Sequence, residues 1–374
     1  MKGFLLLLIG LITLIPPISQ KIFERYDGQL AFQKYQDSAY TRGDKSPTLL
    51  SDSEIYALKG YLFIEKNLDM IKFEPGHPPF GSYLMGLSNK FLGNPLYANL
   101  IVGIIFTLLL FTLVTFFTSP ITSAFITLVF ISSSLILSQF KDTLLDIYQL
   151  SFALGAISLY RSRKHLFLMQ FLVGLMLATK FFLSGIVLPI ALILSVVFTG
   201  DFKLFKKYIF SLIFLPLGFI LGHITFFISG HNLIEFAKFQ RYNLNWWAGS
   251  PQTPPFQVWD LILFNHWHTW WDKFAIVSVS EWSPLWPILI IGGLLSLVLI
   301  KKVSAQEKPF FTACYLWLFL GSLQLSFTAA FPRHLIFLLL PGLLVLIVSL
   351  SSLHHRHSRV GGNPSPRRFP LTRG

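Results

Sequence analysis

Apolar residues fill this chain in long unbroken runs, and polar residues gather between them. Ten runs can be marked, at about 4–15, 94–118, 120–138, 143–160, 166–179, 181–199, 208–229, 285–300, 310–331 and 335–353. Most approach the ~20 residues that carry a helix across a bilayer. None alternates with the period of two that a transmembrane barrel strand shows. The pattern predicts an all-α polytopic membrane protein with about ten transmembrane helices. Lys2 and the run 4–15, ended by Pro16-Pro17, share the charged start and short apolar core of a signal peptide. No small-residue cleavage site follows, so the run is read as an uncleaved first span.

Two polar stretches interrupt the pattern, at 20–92 and 230–284. The first holds nine Lys/Arg and nine Asp/Glu. Its half from 20 to 50 lacks periodicity and reads as an irregular insert. Beyond Ser51, apolar residues at Ile55, Leu58, Tyr61 and Leu62 take helical spacing, and a second amphipathic stretch follows His77-Pro-Pro-Phe-Gly81. The 230–284 stretch is rich in Trp and His and suits a headgroup region, where indole is favoured. Residues 1–353 thus form one membrane domain. The basic, Pro/Gly-rich stretch 354–374 is expected to be a disordered tail.

A net charge of +13 invites a nucleic-acid partner. Its distribution argues for a membrane instead. Lys2, the links 161–165, 200–207 and 301–309, and the tail together hold fifteen Lys/Arg against two acids, Asp201 and Glu307. The remaining fifteen Lys/Arg are matched by fifteen acids. The whole excess therefore lies on one set of short links, as the positive-inside rule requires of cytoplasmic segments. This puts both termini in the cytoplasm and both long loops outside the plasma membrane. The single cysteine, Cys314, lies in an apolar run and is expected to pack there.

Charged residues at membrane depth carry the candidate chemistry, because each is costly unless compensated. Asp146, one turn beyond Asp142, opens the fourth run. Lys180 separates two runs, and Arg333 occupies a turn of three residues. Asp52 and Glu54 open the amphipathic helix of the first loop, and Glu74 and His77 flank a rigid proline turn. Each also has a bland reading: helix caps for the acids, snorkelling for Lys180, a headgroup contact for Arg333, a fixed chain entry for His77. His231, His266 and His268 suggest a metal only weakly, since the H-x-H pair 266/268 has no carboxylate at ligand spacing, and no metal site and no cofactor is expected. Glycine-rich phosphate loops and hydrolase motifs are absent from the sequence. Acids and cations gathered on one side fit transfer from a phosphate-linked donor. A carboxylate takes the proton of an attacking hydroxyl, and Lys or Arg holds the departing phosphate.

Five stretches, in this order, resemble the GT-C glycosyltransferases that use polyprenyl-phosphate sugars, above all the protein O-mannosyltransferase family and the lipid A aminoarabinose transferases. Asp52-Ser-Glu54-Ile-Tyr56 is similar to the Asp-Glu-x-x-Tyr of that family. His77-Pro-Pro-Phe-Gly81 resembles H-P-P-L-G, Leu144-Leu-Asp146-Ile resembles L-D-x-P, and Gly174-Leu-Met-Leu-Ala-Thr179-Lys180-Phe resembles G-L-A-L-L-T-K-Y. Pro332-Arg333-His334 through Pro341 is a weaker match to R-Y-L-L-P. The likeness spans about residues 1–350.

The resemblance implies an inverting, metal-independent transferase. Asp52 would be the base, four residues before Tyr56, although Glu54 stands one place from the second acid of the family and leaves open which of the two acts. Asp146 would position the acceptor or assist. Lys180 and Arg333 would bind the carrier phosphate, and His77 and Tyr56 would complete the substrate-binding set. Whether a divalent ion helps to hold the phosphate stays open. The implied partners are a polyprenyl-phosphate-linked sugar, a hydroxyl acceptor of unspecified kind and membrane lipid. A large outer C-terminal domain is missing from the pattern, and Phe80 replaces the usual Leu. Two rivals remain, a lipid or sugar transporter and an inactive member of the same fold. The first would want internal repeats, which the sequence lacks.

Overall fold

The computed structural model describes residues 2–14, 21–73, 76–180, 185–248, 254–269 and 275–360. Among these, five helices are long and apolar enough to cross a membrane: Leu96–Thr115, Phe202–Leu221, Leu285–Lys302, Lys308–Ser326 and Pro332–His354. Three shorter apolar helices, Lys2–Ile12, Leu166–Leu177 and Val187–Thr199, join them. With the buried Asp146–Ser162 helix and one bent pair, they coincide with the ten expected runs.

Three boundaries differ from expectation. The run 120–138 is not straight: Pro120–Ile131 and Ser134–Lys141 meet at 72°. At the break, the hydroxyls of Ser132 and Ser133 bond back to the carbonyls of Val129 and Phe130, which competes with the helical ladder. The seventh helix starts at Phe202 because the Asp201 carboxylate caps it through Leu204 N–H at 3.0 Å. The last helix, Ile336–Val360, runs past the point where the disordered tail was expected to begin, and 361–374 lie outside the described residues.

The bundle packs through small residues, as helices must where lipid supplies no hydrophobic drive. The Leu166–Leu177 and Phe214–Leu221 helices touch backbone to backbone at Gly174 and Gly218, where a Cβ on either would strike the other main chain. The Asp146–Ser162 helix is buried along most of its length, which places its first residue deep in the protein. Cys314 is buried as expected.

The two long polar loops meet at one end of the bundle. The 21–50 stretch is not irregular: it forms helices Gly28–Gln36 and Ala39–Arg42. Asp27 caps the first through the N–H groups of Gln29 and Leu30, and Phe32 and Tyr35 pack against a cluster that includes Leu58, Tyr61 and Phe73. Tertiary packing, not an amphipathic stripe, stabilises these short helices. The Asp52–Ile64 and Phe80–Leu92 helices then cross at Gly60 and Gly86, each of which leaves room only for the backbone of the other. Phe226, Phe236 and Phe239 join the same apolar cluster, and His231 Nε2 pairs with Asp69 Oδ2 at 3.0 Å, so the loops are fastened together.

The tryptophans of the second loop face inward more than a headgroup role requires. Trp259, Trp267 and Trp282 donate their indole N–H groups to Ser326 Oγ, Ala330 O and Ile262 O, two of them on the chain just before Arg333. Trp270 and Trp271 lie outside the described residues. At the opposite end, the basic links are tied by Arg161–Glu307 at 2.7 Å and Arg163–Asp201 at 3.6 Å.

Candidate functional site

Ser51 starts the site. Its hydroxyl accepts from Glu54 N–H, and Glu54 returns a bond to Ser51 N–H at 2.8 Å, a complete capping box. The box fixes the first turn of the Asp52–Ile64 helix and separates the two acids. Glu54 turns to Ser51 and to the Lys34 ammonium. Burial raises the Glu54 carboxyl, but the bonds from Lys34 and Ser51 outweigh this and hold it below the usual carboxylate range. Asp52 turns the other way and accepts a bond from Arg333 Nη2.

Arg333 arrives on the 3-10 turn Pro332–Leu335 at the head of the last helix. Phe331 lies beneath its guanidinium, 5.3 Å from the ring centre. The same guanidinium presents Nε to Asp146 Oδ2 at 4.0 Å. Neither of those two atoms has a hydrogen-bond partner. Asp146 is itself fully buried, and its Oδ1 accepts from Lys180 Nζ. Four charged side chains from four chain segments therefore form one chain of contacts, Asp52–Arg333–Asp146–Lys180. Exposure drops from 35% for the Asp52 side chain and 22% for Arg333 to 0% for Asp146 and 5% for Lys180.

Polar residues hidden in apolar segments hold this arrangement. The Asn99 amide reaches the carbonyls of Gln139, Asp142 and Leu144 at 2.9–3.2 Å and so fastens the turn before Asp146. Tyr148 Oη donates to Asn99 Oδ1 at 2.7 Å and fixes the orientation of that amide. Thr143 Oγ1 donates to Ser53 O at 2.6 Å, which joins the same turn to the helix that carries Asp52. Phe80 N–H donates to Ala178 O at 3.0 Å, tying the His77-Pro-Pro-Phe turn to the chain just before Lys180. Gly81 permits that approach, since a Cβ there would meet Leu145 and Thr179.

His77 and Tyr56 pack against each other next to the cluster, and Tyr56 is close enough to act electrostatically on Arg333. Their rings make an edge contact with centres 5.3 Å apart. The His77 carbonyl accepts from Lys59 Nζ at 2.6 Å, and Lys59, which the sequence did not single out, is buried. Asp142 is not deep: it pairs with Lys21 at 2.7 Å on the surface. Glu74 lies outside the described residues. His268 does find a carboxylate, Asp260 at 3.0 Å, from the preceding helix rather than from neighbouring sequence.

No protein-family profile matches the sequence, and no curated protein matches it. Solved structures do. Crystal structures of ArnT from Cupriavidus metallidurans superpose on 81% of this chain, with TM-score 0.56 at 14% identity for the apo state and 0.58 at 13% identity for the form bound to undecaprenyl phosphate. The chain spans little more than half of that protein, 55% and 56% of its length. At that identity the likeness speaks for architecture alone: this chain has the all-α polytopic membrane fold of ArnT.

Proposed function

We propose that this protein transfers a sugar from a polyprenyl-phosphate carrier to a hydroxyl acceptor at the extracytoplasmic face, with inversion at the anomeric carbon. The observation that carries the reading is the chain of contacts Asp52–Arg333–Asp146–Lys180. Asp146 is enclosed and bonded to a cation, so it serves to hold Lys180 and Arg333 in place. Asp52 is the more accessible acid and is the base. Glu54, committed to its cap and to Lys34, supports the helix that presents Asp52.

In this reaction Asp52 accepts the proton of the acceptor hydroxyl as its oxygen attacks the anomeric carbon. The bond between that carbon and the phosphate oxygen breaks, and the carrier phosphate leaves with an added negative charge. Arg333 and Lys180 stabilise that charge in a site poor in water, where it counts most. The donor phosphate competes with Asp52 for Arg333, so donor binding releases the base. Tyr56 and His77 line the approach. The ArnT structure with undecaprenyl phosphate supports a lipid-phosphate donor for this fold. The test is transfer of radiolabel from synthetic polyprenyl-phosphate sugars by protein in nanodiscs, wild type beside Asp52→Asn. Label should leave the lipid with wild type and stay on it with the variant. Full activity in folded Asp52→Asn overturns the assignment of the base.

A further inference from the structure

Arg333 is followed by a histidine that the reaction described above leaves unused. His334 sits on the same 3-10 turn, Pro332–Leu335. It is bonded twice to Phe331. Its main-chain N–H donates to Phe331 O at 2.9 Å, and its ring Nδ1 accepts from Phe331 N–H at 3.5 Å. The Phe331 ring meets the imidazole edge-on with centres 5.3 Å apart, and the same phenyl lies 5.3 Å from the Arg333 guanidinium. One aromatic ring therefore props both polar side chains. Trp267 packs on that ring, 6.0 Å from centre to centre, and its indole N–H holds Ala330 O at 2.9 Å.

The bond at Nδ1 sets the chemistry of the imidazole. The nitrogen that accepts carries the lone pair, so the neutral ring keeps its hydrogen on Nε2. His334 is half-buried with Nε2 open at the protein surface, and among the described residues no group accepts from that nitrogen. The groups that act electrostatically on the ring are Lys180, Arg333 and His77, with no carboxylate among those of the described residues. Lys180 and Arg333 are already turned to Asp146 and Asp52. His334 thus offers a fixed and uncommitted N–H beside two cations. A ligand that suits it accepts hydrogen bonds and carries negative charge, and a phosphate oxygen does both.

We infer that His334 is a further phosphate-binding residue, whose Nε2–H donates to a non-bridging oxygen of the carrier phosphate. Its use in catalysis rests on the transferase reading; the binding can be measured without turnover. Undecaprenyl phosphate is titrated into the full chain in nanodiscs, labelled with 15N-histidine, and undecaprenol serves as the probe without phosphate. The His334 Nε2 resonance, assigned by its loss in His334→Gln, should move with the phosphate and stay still with the alcohol. His334→Phe keeps a flat ring and no donor, and should raise Kd for undecaprenyl phosphate about tenfold, the scale of one hydrogen bond to a charged acceptor. His334→Gln, whose amide N–H extends toward the place of Nε2, should restore most of that loss. A resonance that ignores the phosphate overturns the inference whatever the variants do, and so does an equal Kd for wild type and His334→Phe. Carrier binding that depends on His334 without sugar transfer from any donor keeps the inference and removes the transferase reading. Transfer by His334→Phe that is unweakened at low donor concentration keeps the reading and removes the inference.

Discussion

Arg333 and Asp52 are 281 positions apart in sequence, and the guanidinium of one bonds the carboxylate of the other. The same guanidinium turns its Nε toward Asp146. One planar group thus addresses two carboxylates through donors set in a rigid fork, whereas a lysine ammonium is a compact point charge with no fixed orientation. Arg333→Lys should lower kcat/KM for sugar transfer about a hundredfold, the scale seen when one donor to a developing charge is removed. Stopped assays with donor well below KM check it. Activity within threefold of wild type would remove Arg333 from the reaction.

Lys180 and Asp146 form the buried pair beneath it. Removing one partner strands a charge, at a cost of about 3–5 kcal/mol, whereas replacing both by apolar residues costs less. Lys180→Met and Asp146→Leu should each lower the thermal midpoint in detergent more than the double variant does. Additive losses would show that the two side chains do not depend on each other.

Much of this was legible in the sequence because charge inside an apolar run is rare and conspicuous. Asp146, Lys180 and Arg333 stood out for that reason, and the structure brings all three together with Asp52. Glu54 could have been separated from Asp52 by reading Ser51-x-x-Glu54 as a capping box. Asn99 and Tyr148 gave no such signal: a neutral amide and a phenol hardly interrupt hydropathy, and only the fold shows that they hold the turn before Asp146. The helices of 21–50 escaped for the opposite reason, since their stability comes from residues far along the chain.

Asn99 can be tested directly. Asn99→Leu leaves the carbonyls of Gln139, Asp142 and Leu144 and the hydroxyl of Tyr148 without their side-chain partner. A loss of about 4 kcal/mol follows at roughly 1 kcal/mol for each of the four bonds, and sugar transfer should fall with it as Asp146 shifts. Chemical denaturation in mixed micelles reads the first effect. An unchanged midpoint would mean that water replaces the amide at no cost.

His231 should make the junction of the two loops sensitive to pH. Its bond to Asp69 at 3.0 Å, with Glu235 at 3.4 Å on the other ring nitrogen, raises it above the ordinary histidine value of 6.5. A raised value means that the charged form favours the folded junction. The contribution is complete below about pH 6.5 and is lost as pH rises through the raised value. Hydrogen exchange at 69–72 and 231–236 should therefore quicken on the alkaline side, and His231→Gln should abolish the dependence. Equal protection across that interval would refute it.

Gly86 faces the Gly60 carbonyl where two first-loop helices cross. Gly86→Val forces the helices apart, at about 1–3 kcal/mol for overpacking. A lowered melting midpoint with the membrane bundle still helical by circular dichroism is the expected result.

The four charged groups of the site hang from four separate stretches of the chain, around 52, 146, 180 and 333. The site is therefore indivisible in a practical sense. A fragment that ends before the last helix keeps three of the four groups and loses the one that joins the others. Cutting the chain within 249–253 would leave two pieces that regain the centre only by reassembling in the same bilayer. Transplanting the chemistry into a smaller scaffold would require carrying nearly the whole bundle along.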